Sequence, residues 1–295
     1  MSRRAPTPAD RHLLLQAAAL ALLPLLPRCA AQGCAPNRVL PAIPVRAHLG
    51  KLLKHLNYTG RGVELGVQAG IYTRVVLTEW QQCSTYVQVD LWHQQTNYVD
   101  GANAPDEEQK HFRYQARKQG NDMVRQGYAQ RVVQCANYTT TCAERYPDSH
   151  FDFVYVDARH DYKGVYTDIT TWWPKLREGG LMAGHDYTLN ADPTARNGSD
   201  PHSTGQDWTL NFDGTRGETG RVVKGAVDDF FAGKPMRPGD GKEPPAANRA
   251  VLHGCPRQVQ ITYREPGWNL DGAEVRSEMY FSLLTSKIGV FTHIY

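Results

Sequence analysis

Phe151–Tyr187, FDFVYVDARHDYKGVYTDITTWWPKLREGGLMAGHDY, is the stretch that decides the fold. Phe151, Phe153, Val154, Tyr155 and Val156 are bulky or β-branched, and the run ends on an acid, Asp157. Such an almost continuous apolar run suits a parallel strand covered by helices on both faces. A polar turn, Ala158–Asp161, leads into a helix expected from Tyr162 to about Leu176. In it Val165, Ile169, Trp172, Trp173 and Leu176 recur at helical spacing and form an apolar stripe. Gly179–Gly180 are expected to end the helix, and Leu181–Ala183 to start a strand running into His185-Asp186-Tyr187. This strand–helix–strand unit gathers Asp157, His160, His185 and Asp186 at the carboxyl ends of two neighbouring parallel strands, where open α/β sheets bind their ligands.

Working outward, Val45–Leu56 carries Leu49, Leu52, Leu53 and Leu56 at helical spacing. Arg61–Gly66 reads as the first strand, Ile71–Trp80 as a helix, Thr85–Asp90 as a second strand and Arg131–Cys135 as a third. Leu91–Gly127 is longer than a simple crossover needs, with a polar, aromatic start and a helical later part. Thr188–Gly220 and Gly233–Ala247 read as loops around a helix, Val222–Phe231. Val259–Tyr263 and Ile288–Ile294 read as final strands, with Tyr280–Leu284 a further contributor. Alternating strands and helical crossovers predict an α/β domain over 45–295, with a doubly wound, Rossmann-like, mostly parallel sheet, a C-terminal antiparallel element and loop insertions at about 188–220 and 233–250.

Composition excludes several classes. A hydrophobic content of 41% and a charged content of 21% describe a folded globular chain. The net charge of +3 is matched by Arg3, Arg4, Arg11 and Arg28 against Asp10, so the rest is near neutral. No basic patch or motif points to nucleic acid. Residues 1–31 read as a targeting segment: Arg3, Arg4 and Arg11 precede the apolar run Leu13–Leu26, and Cys29-Ala30-Ala31 offers small residues for cleavage. A helix over that run would reach only about 21 Å, short of a ~30 Å hydrocarbon core, so no stable membrane span is expected. Residues 32–44 then form a linker. The expected location is the secretory lumen or outside the cell; an organelle or a short signal anchor is the alternative. Without Cys29, five cysteines remain, an odd count that argues against a full disulfide framework. Asn57, Asn137 and Asn197 head glycosylation sequons. Asn197 is expected to be exposed and Asn137 to lie near the pocket.

The cofactor constellation is Glu64-x-Gly66-x-x-x-Gly70 where the first strand meets its helix, with Asp90 ending the second strand. Glycines there permit a tight turn and close approach of backbone to a ligand, and a strand-end acid suits ribose hydroxyls. With Asp157, His160, Tyr162, Gly179, Gly180, His185, Asp186 and Tyr187 in order behind it, the chain resembles the class I S-adenosylmethionine-dependent methyltransferases. The likeness is to their small-molecule branch with D-x-x-H-x-Y and GG-x-x-x-x-H-D-Y patterns, and spans roughly Val63 to Tyr187. The resemblance implies S-adenosylmethionine as cofactor, Glu64 and Asp157 near its methionine end and Asn137 near its adenine.

Methyl transfer to a hydroxyl needs alignment and removal of a proton. His160, three residues after Asp157, is the expected base, since an imidazole near ~6.5 is partly neutral at working pH. Its position resembles that of the base in metal-dependent catechol-type O-methyltransferases, which use lysine there. Asp157, His185 and Asp186 are candidate ligands of a divalent cation, magnesium or manganese; the relatives carry acid–acid or acid–amide where this chain has His185–Asp186. Trp92, His93, Tyr98 and Tyr187 are candidate substrate contacts, as are Gln94, Asn103, His202, Asp207 and Trp208. The expected activity is O-methylation of a small molecule or glycan. The alternatives are a metal-dependent, hydroxylase-like enzyme on the same fold, and a non-catalytic binding module.

Overall fold

Five parallel strands in the order β3-β2-β1-β4-β5 place the reversal of strand order between β1 and β4. They are β1 (Arg61–Leu65), β2 (Thr85–Asp90), β3 (Val132–Ala136), β4 (Phe151–Val156) and β5 (Leu176–His185). The computed structural model describes residues 46–187, 207–217 and 221–238, and the backbone of 260–263, 267–268, 274–275 and 279–285. All lie within the unit Ala35–Tyr295. The targeting segment, the linker, Asn197, His202 and Ile288–Ile294 fall outside the described residues.

The helices are α1 (Leu49–His55), α2 (Ile71–Glu79), α3 (Asp106–Arg125), α4 (Thr139–Ala143), α5 (Tyr162–Trp172) and α6 (Val223–Phe231). Every residue of β4 is buried, and from Phe153 to Val156 its side chains alternate between two cores. Val154 and Val156 join Val63, Leu65, Ile169, Trp172 and Phe230 on one face. Phe153 and Tyr155 join Leu53, Val76, Trp80 and Leu181 on the other. At roughly 1.5–3 kcal/mol for each large side chain removed from water, this double coverage fixes the register of the central strand.

Two expectations need correcting. The helix after β4 stops at Trp172, because Pro174 has no N–H to continue the ladder. Leu176 therefore begins β5, and Gly179–Gly180 sit inside that strand instead of capping a helix. Phe151 pairs with Leu176 but Phe153 with Leu181, so two steps along β4 match five along β5. Gly179, at φ +71°, turns this bulge. Cys135 and Cys142 are disulfide-bonded across the turn from β3 into α4, while Cys83 is a buried free thiol, as an odd cysteine count allows. Met279–Thr285 runs antiparallel beside β5, and Gln260–Tyr263 antiparallel beside that.

Asp229 of α6 ties the chain beyond that helix to the core. It is 0% exposed and accepts from Arg221 at 3.1 Å, Arg237 Nε at 2.6 Å and Tyr162 Oη at 3.2 Å, with Lys234 Nζ 3.3 Å away. Burial works to raise its pKa, but the Arg237 and Arg221 guanidiniums outweigh it and hold the carboxyl below its ordinary value. Breaking a buried pair by removing one partner costs about 3–5 kcal/mol, so Asp229→Ala is expected to lose that much in urea unfolding. A loss under about 1 kcal/mol would mean the three cations re-solvate without cost.

Candidate active site

Glycine at 66 lets the turn after β1 pass against the end of β4. Gly66 has φ +81°, and a Cβ there would sit 1.9 Å from the Asp157 carbonyl oxygen. Gly70, at φ +78°, would drive a Cβ to 2.8 Å from Ala116 Cα. Between them the loop is held from below by Asp90. Its Oδ2 accepts from Val67 N at 2.8 Å and Gln68 N at 2.9 Å, and its Oδ1 accepts from Trp92 N at 2.8 Å. Asp90 thus organises the glycine loop through amide bonds and still lines the cleft with lone pairs to spare. Glu64 is nearly fully buried; Thr73 Oγ1 donates to it at 2.6 Å and Tyr86 Oη at 3.2 Å.

Asp157, His160, His185 and Asp186 come together as the sequence predicts, each offering a ligand atom within 4.8 Å of the others. His160 Nε2 lies 3.3 Å from Asp157 Oδ1 and 3.2 Å from Asp186 Oδ2. His185 Nδ1 lies 2.9 Å from Asp186 Oδ2 and 3.5 Å from Asp157 Oδ1. The other nitrogen of His160 faces Tyr98 Oη at 3.1 Å and Asp100 Oδ2 at 3.3 Å, and its ring packs on Trp208. Burial works against the charged imidazole, but hydrogen bonds to Asp100 and Asp157 and the charge of Asp186 raise its pKa well above 6.5. The carboxylates on both sides of the ring therefore favour its charged form.

Two loops distant in sequence close over this cluster. Val99 bridges Asp207, Trp208 Nε1 donates to Asp100 Oδ2 at 2.6 Å, and Arg159 lies over the Tyr98 ring while donating to Asp161. Burial pushes the Asp100 carboxyl up, but bonds from His160, Ala102 N and Trp208 prevail and hold it at about 2. Arg46, from the turn before α1, reaches Asp157 Oδ2 at 3.6 Å. The sequence reading missed Arg46 and Asp100. Neither belongs to a motif, and both arrive from remote segments.

The predicted substrate contacts divide. His93, Gln94, Asn103 and Tyr98 line the cleft, and His93 pairs with Asp106 at 2.8 Å. Trp92 does not: at φ +45° its indole turns under the loop and donates to Gln68 O at 2.9 Å, packed with Val67 and Ala116. Tyr187 also leaves the site, donating to Asp228 at 2.5 Å and accepting from Lys224 at 2.7 Å. Asn137 lines the cleft, and the exposed sequon asparagine among the described residues is Asn57. The cleft measures about 2060 Å³, beyond the roughly 300–1,000 Å³ of a single small-ligand site, so two reactants fit together.

Residues 63–187 match the model of a family described as "Methyltransferase domain". No curated protein matches the chain. Among solved structures it is similar to an O-methyltransferase from Bacillus cereus in complex with SAH, at 13% identity and a TM-score of 0.42, over 95% of this chain and 92% of that one. It is also similar to an O-methyltransferase from Streptomyces achromogenes involved in tomaymycin synthesis, in complex with SAM. That likeness has 14% identity and a TM-score of 0.42, over 83% of this chain and 82% of the other.

Glu64 gives this site a measurable pH signature. Burial pushes its carboxyl from an ordinary 4.5 up to about 8, against the lowering effect of Thr73 and Tyr86. Between those values the folded chain keeps a proton that the unfolded chain has released, so stability falls as pH rises through the window. Glu64→Gln cannot titrate and should gain on the wild type by on the order of 4 kcal/mol between about pH 5 and pH 8. Parallel pH profiles of the two proteins in urea unfolding would exclude the buried proton.

Proposed function

With residues 63–187 a methyltransferase domain, we propose that this chain transfers a methyl group from S-adenosylmethionine to a hydroxyl oxygen of a small molecule or glycan. The observation that carries the reading lies inside that matched span. A glycine loop, two strand-end acids and a carboxylate–imidazole cluster share one crevice at the reversal of strand order. Glu64, Gly66, Gly70, Asp90, Asn137 and Asp157 are the residues proposed to hold the cofactor. When bound, it supplies a sulfonium-borne methyl.

The chain's own task is alignment, exclusion of water and removal of a proton. Tyr98 and Trp208 wall the reacting end and exclude water there. Asp100 and Tyr98 orient His160 from its Nδ1 side, which leaves Nε2 toward Asp157 and Asp186. His160 Nε2 is the proposed acceptor of the hydroxyl proton, a role that requires the positive charge on the ring to be displaced.

The donor set fits a divalent cation: two carboxylates and two imidazoles converge, with oxygen donors suited to magnesium or manganese. Asp157, His185 and Asp186 would hold it, with His160 adjoining. There it would supply Lewis-acid polarisation of an acceptor oxygen and lower the proton affinity of His160.

Entry into the secretory pathway remains part of the proposal. Arg3, Arg4 and Arg11 before Leu13–Leu26 support it, as does the Cys135–Cys142 disulfide, since such bonds persist in oxidising compartments. Asn57, exposed in Asn57-Tyr58-Thr59, supports glycosylation. Among the described residues no helix is long and apolar enough to cross a membrane.

Two measurements test the chemistry. His160→Ala should lower turnover by roughly 10²–10⁴-fold while leaving affinity for S-adenosylhomocysteine within about threefold; retained turnover would remove His160 from the mechanism. A chelator should abolish methyl transfer, and magnesium or manganese should restore it. Indifference to chelation would exclude the cation.

A further inference from the structure

Asp186 takes a backbone conformation that residues with a side chain rarely adopt, at φ +53°. Crowding of Cβ disfavours this left-handed region, and such conformations persist where the surroundings hold them. Asp186 Oδ2 lies 2.9 Å from His185 Nδ1 and 3.2 Å from His160 Nε2, so a single carboxylate oxygen meets both imidazoles of the cluster. β5 ends at His185, which pairs with Tyr280, and Asp186 is the first residue past that ladder. Strand pairing therefore fixes His185 but not the residue that follows it.

The hold on Asp186 comes from the next residue. Tyr187 is 4% exposed and belongs to the core that also takes Val223, Ala226 and Val227 of α6. Its hydroxyl donates to Asp228 Oδ1 at 2.5 Å and accepts from Lys224 Nζ at 2.7 Å. Lys224 Nζ also lies 4.7 Å from the centre of the Tyr187 ring and donates to Asp228 Oδ2. Lys224 and Asp228 stand one turn apart on α6, so the helix offers the phenol one donor and one acceptor from a single face. α6 is anchored in turn by Asp229, which accepts from Tyr162 at the start of α5. The chain is thus gripped on both sides of Asp186, by strand pairing at His185 and by α6 at Tyr187. A residue between two fixed neighbours cannot swing to negative φ unless one of them lets go.

We propose that Tyr187 is a positioning residue: clamped by Lys224 and Asp228, it holds Asp186 in the left-handed conformation and so aims that carboxylate at a divalent cation shared with Asp157 and His185, a role that rests on the cation assignment above. Tyr187 need not touch the ion. Groups one step removed from the ligands set ligand geometry, and losing such a partner lowers metal affinity by roughly 10–100-fold. The clamp also gives a role to a tyrosine that directly follows two cluster residues yet points away from the cleft.

The test is calorimetric titration of the full chain with manganese in the presence of saturating S-adenosylhomocysteine. Tyr187→Phe keeps the ring and removes only the hydroxyl; it should weaken manganese binding by about tenfold or more while affinity for S-adenosylhomocysteine stays within about threefold. Asp228→Ala removes the acceptor from the other side, at a side chain that is 42% exposed, and should cost a comparable factor. The double variant should lose no more than about threefold beyond the larger single loss, because both changes cut one contact, whereas independent losses would multiply. Multiplied losses overturn the clamp, as does unchanged manganese affinity in a folded Tyr187→Phe protein. An equal loss of manganese and S-adenosylhomocysteine affinity overturns it too, since the hydroxyl would then support the whole cleft. Should Tyr187→Phe not fold, Asp228→Ala decides, and unchanged manganese affinity there overturns the clamp. Wild-type protein that binds S-adenosylhomocysteine but no manganese overturns the cation assignment, and the clamp falls with it.

Discussion

The site exists because the backbone of Gly66 and the backbone of Asp157 touch. Asp157 N donates to Leu65 O at 2.8 Å, and no side chain larger than hydrogen fits at 66. That contact brings the loop leaving β1 against the loop leaving β4, the two strands that flank the reversal of strand order. A ligand-binding loop and a reactive cluster become walls of one crevice, without any residue having to reach across the sheet. The double-sided burial of β4 supports the contact from beneath, since a strand fixed on both faces cannot slip in register.

Charge balance is the second constraint. Three carboxylates surround His160 and raise its affinity for a proton. The same carboxylates that raise the proton affinity of His160 would attract a divalent ion, so protonation of His160 and occupancy of the cluster are linked. Arg46 adds one positive group at the edge, too far from Asp157 at 3.6 Å to be a tight bidentate partner. Asp100 and Trp208 lock the opposite side of the ring, so orientation and charge are controlled by different segments.

Tethers around the site serve different ends. The Cys135–Cys142 bond and the Asp168–Thr139 contact fix the short α4 turn where β3 leaves the sheet. Asp229 gathers Arg221, Lys234 and Arg237 and binds the chain past α6 to Tyr162 at the start of α5. Both tethers act on α5, the helix that follows the turn carrying His160.

The sequence by itself determined the parallel order of strands and helices and the convergence of Asp157, His160, His185 and Asp186. Apolar periodicity reports burial, and a parallel strand ends where ligands bind. It also placed Glu64, Gly66, Gly70 and Asp90 at the first two strand ends. Gly179–Gly180 misled, because glycine after an apolar stripe suits a helix end as well as a strand bulge, and only pairing with β4 distinguishes them. Tertiary structure alone decided where Trp92 and Tyr187 point, since a positive φ at Trp92 and the Asp228–Lys224 pair beside Tyr187 set directions that composition does not encode. It also decided the carboxylate surroundings of His160 and the companions Arg46, Asp100 and Asp168. Electrostatic environment depends on distance in space, and these groups stand far apart in the chain.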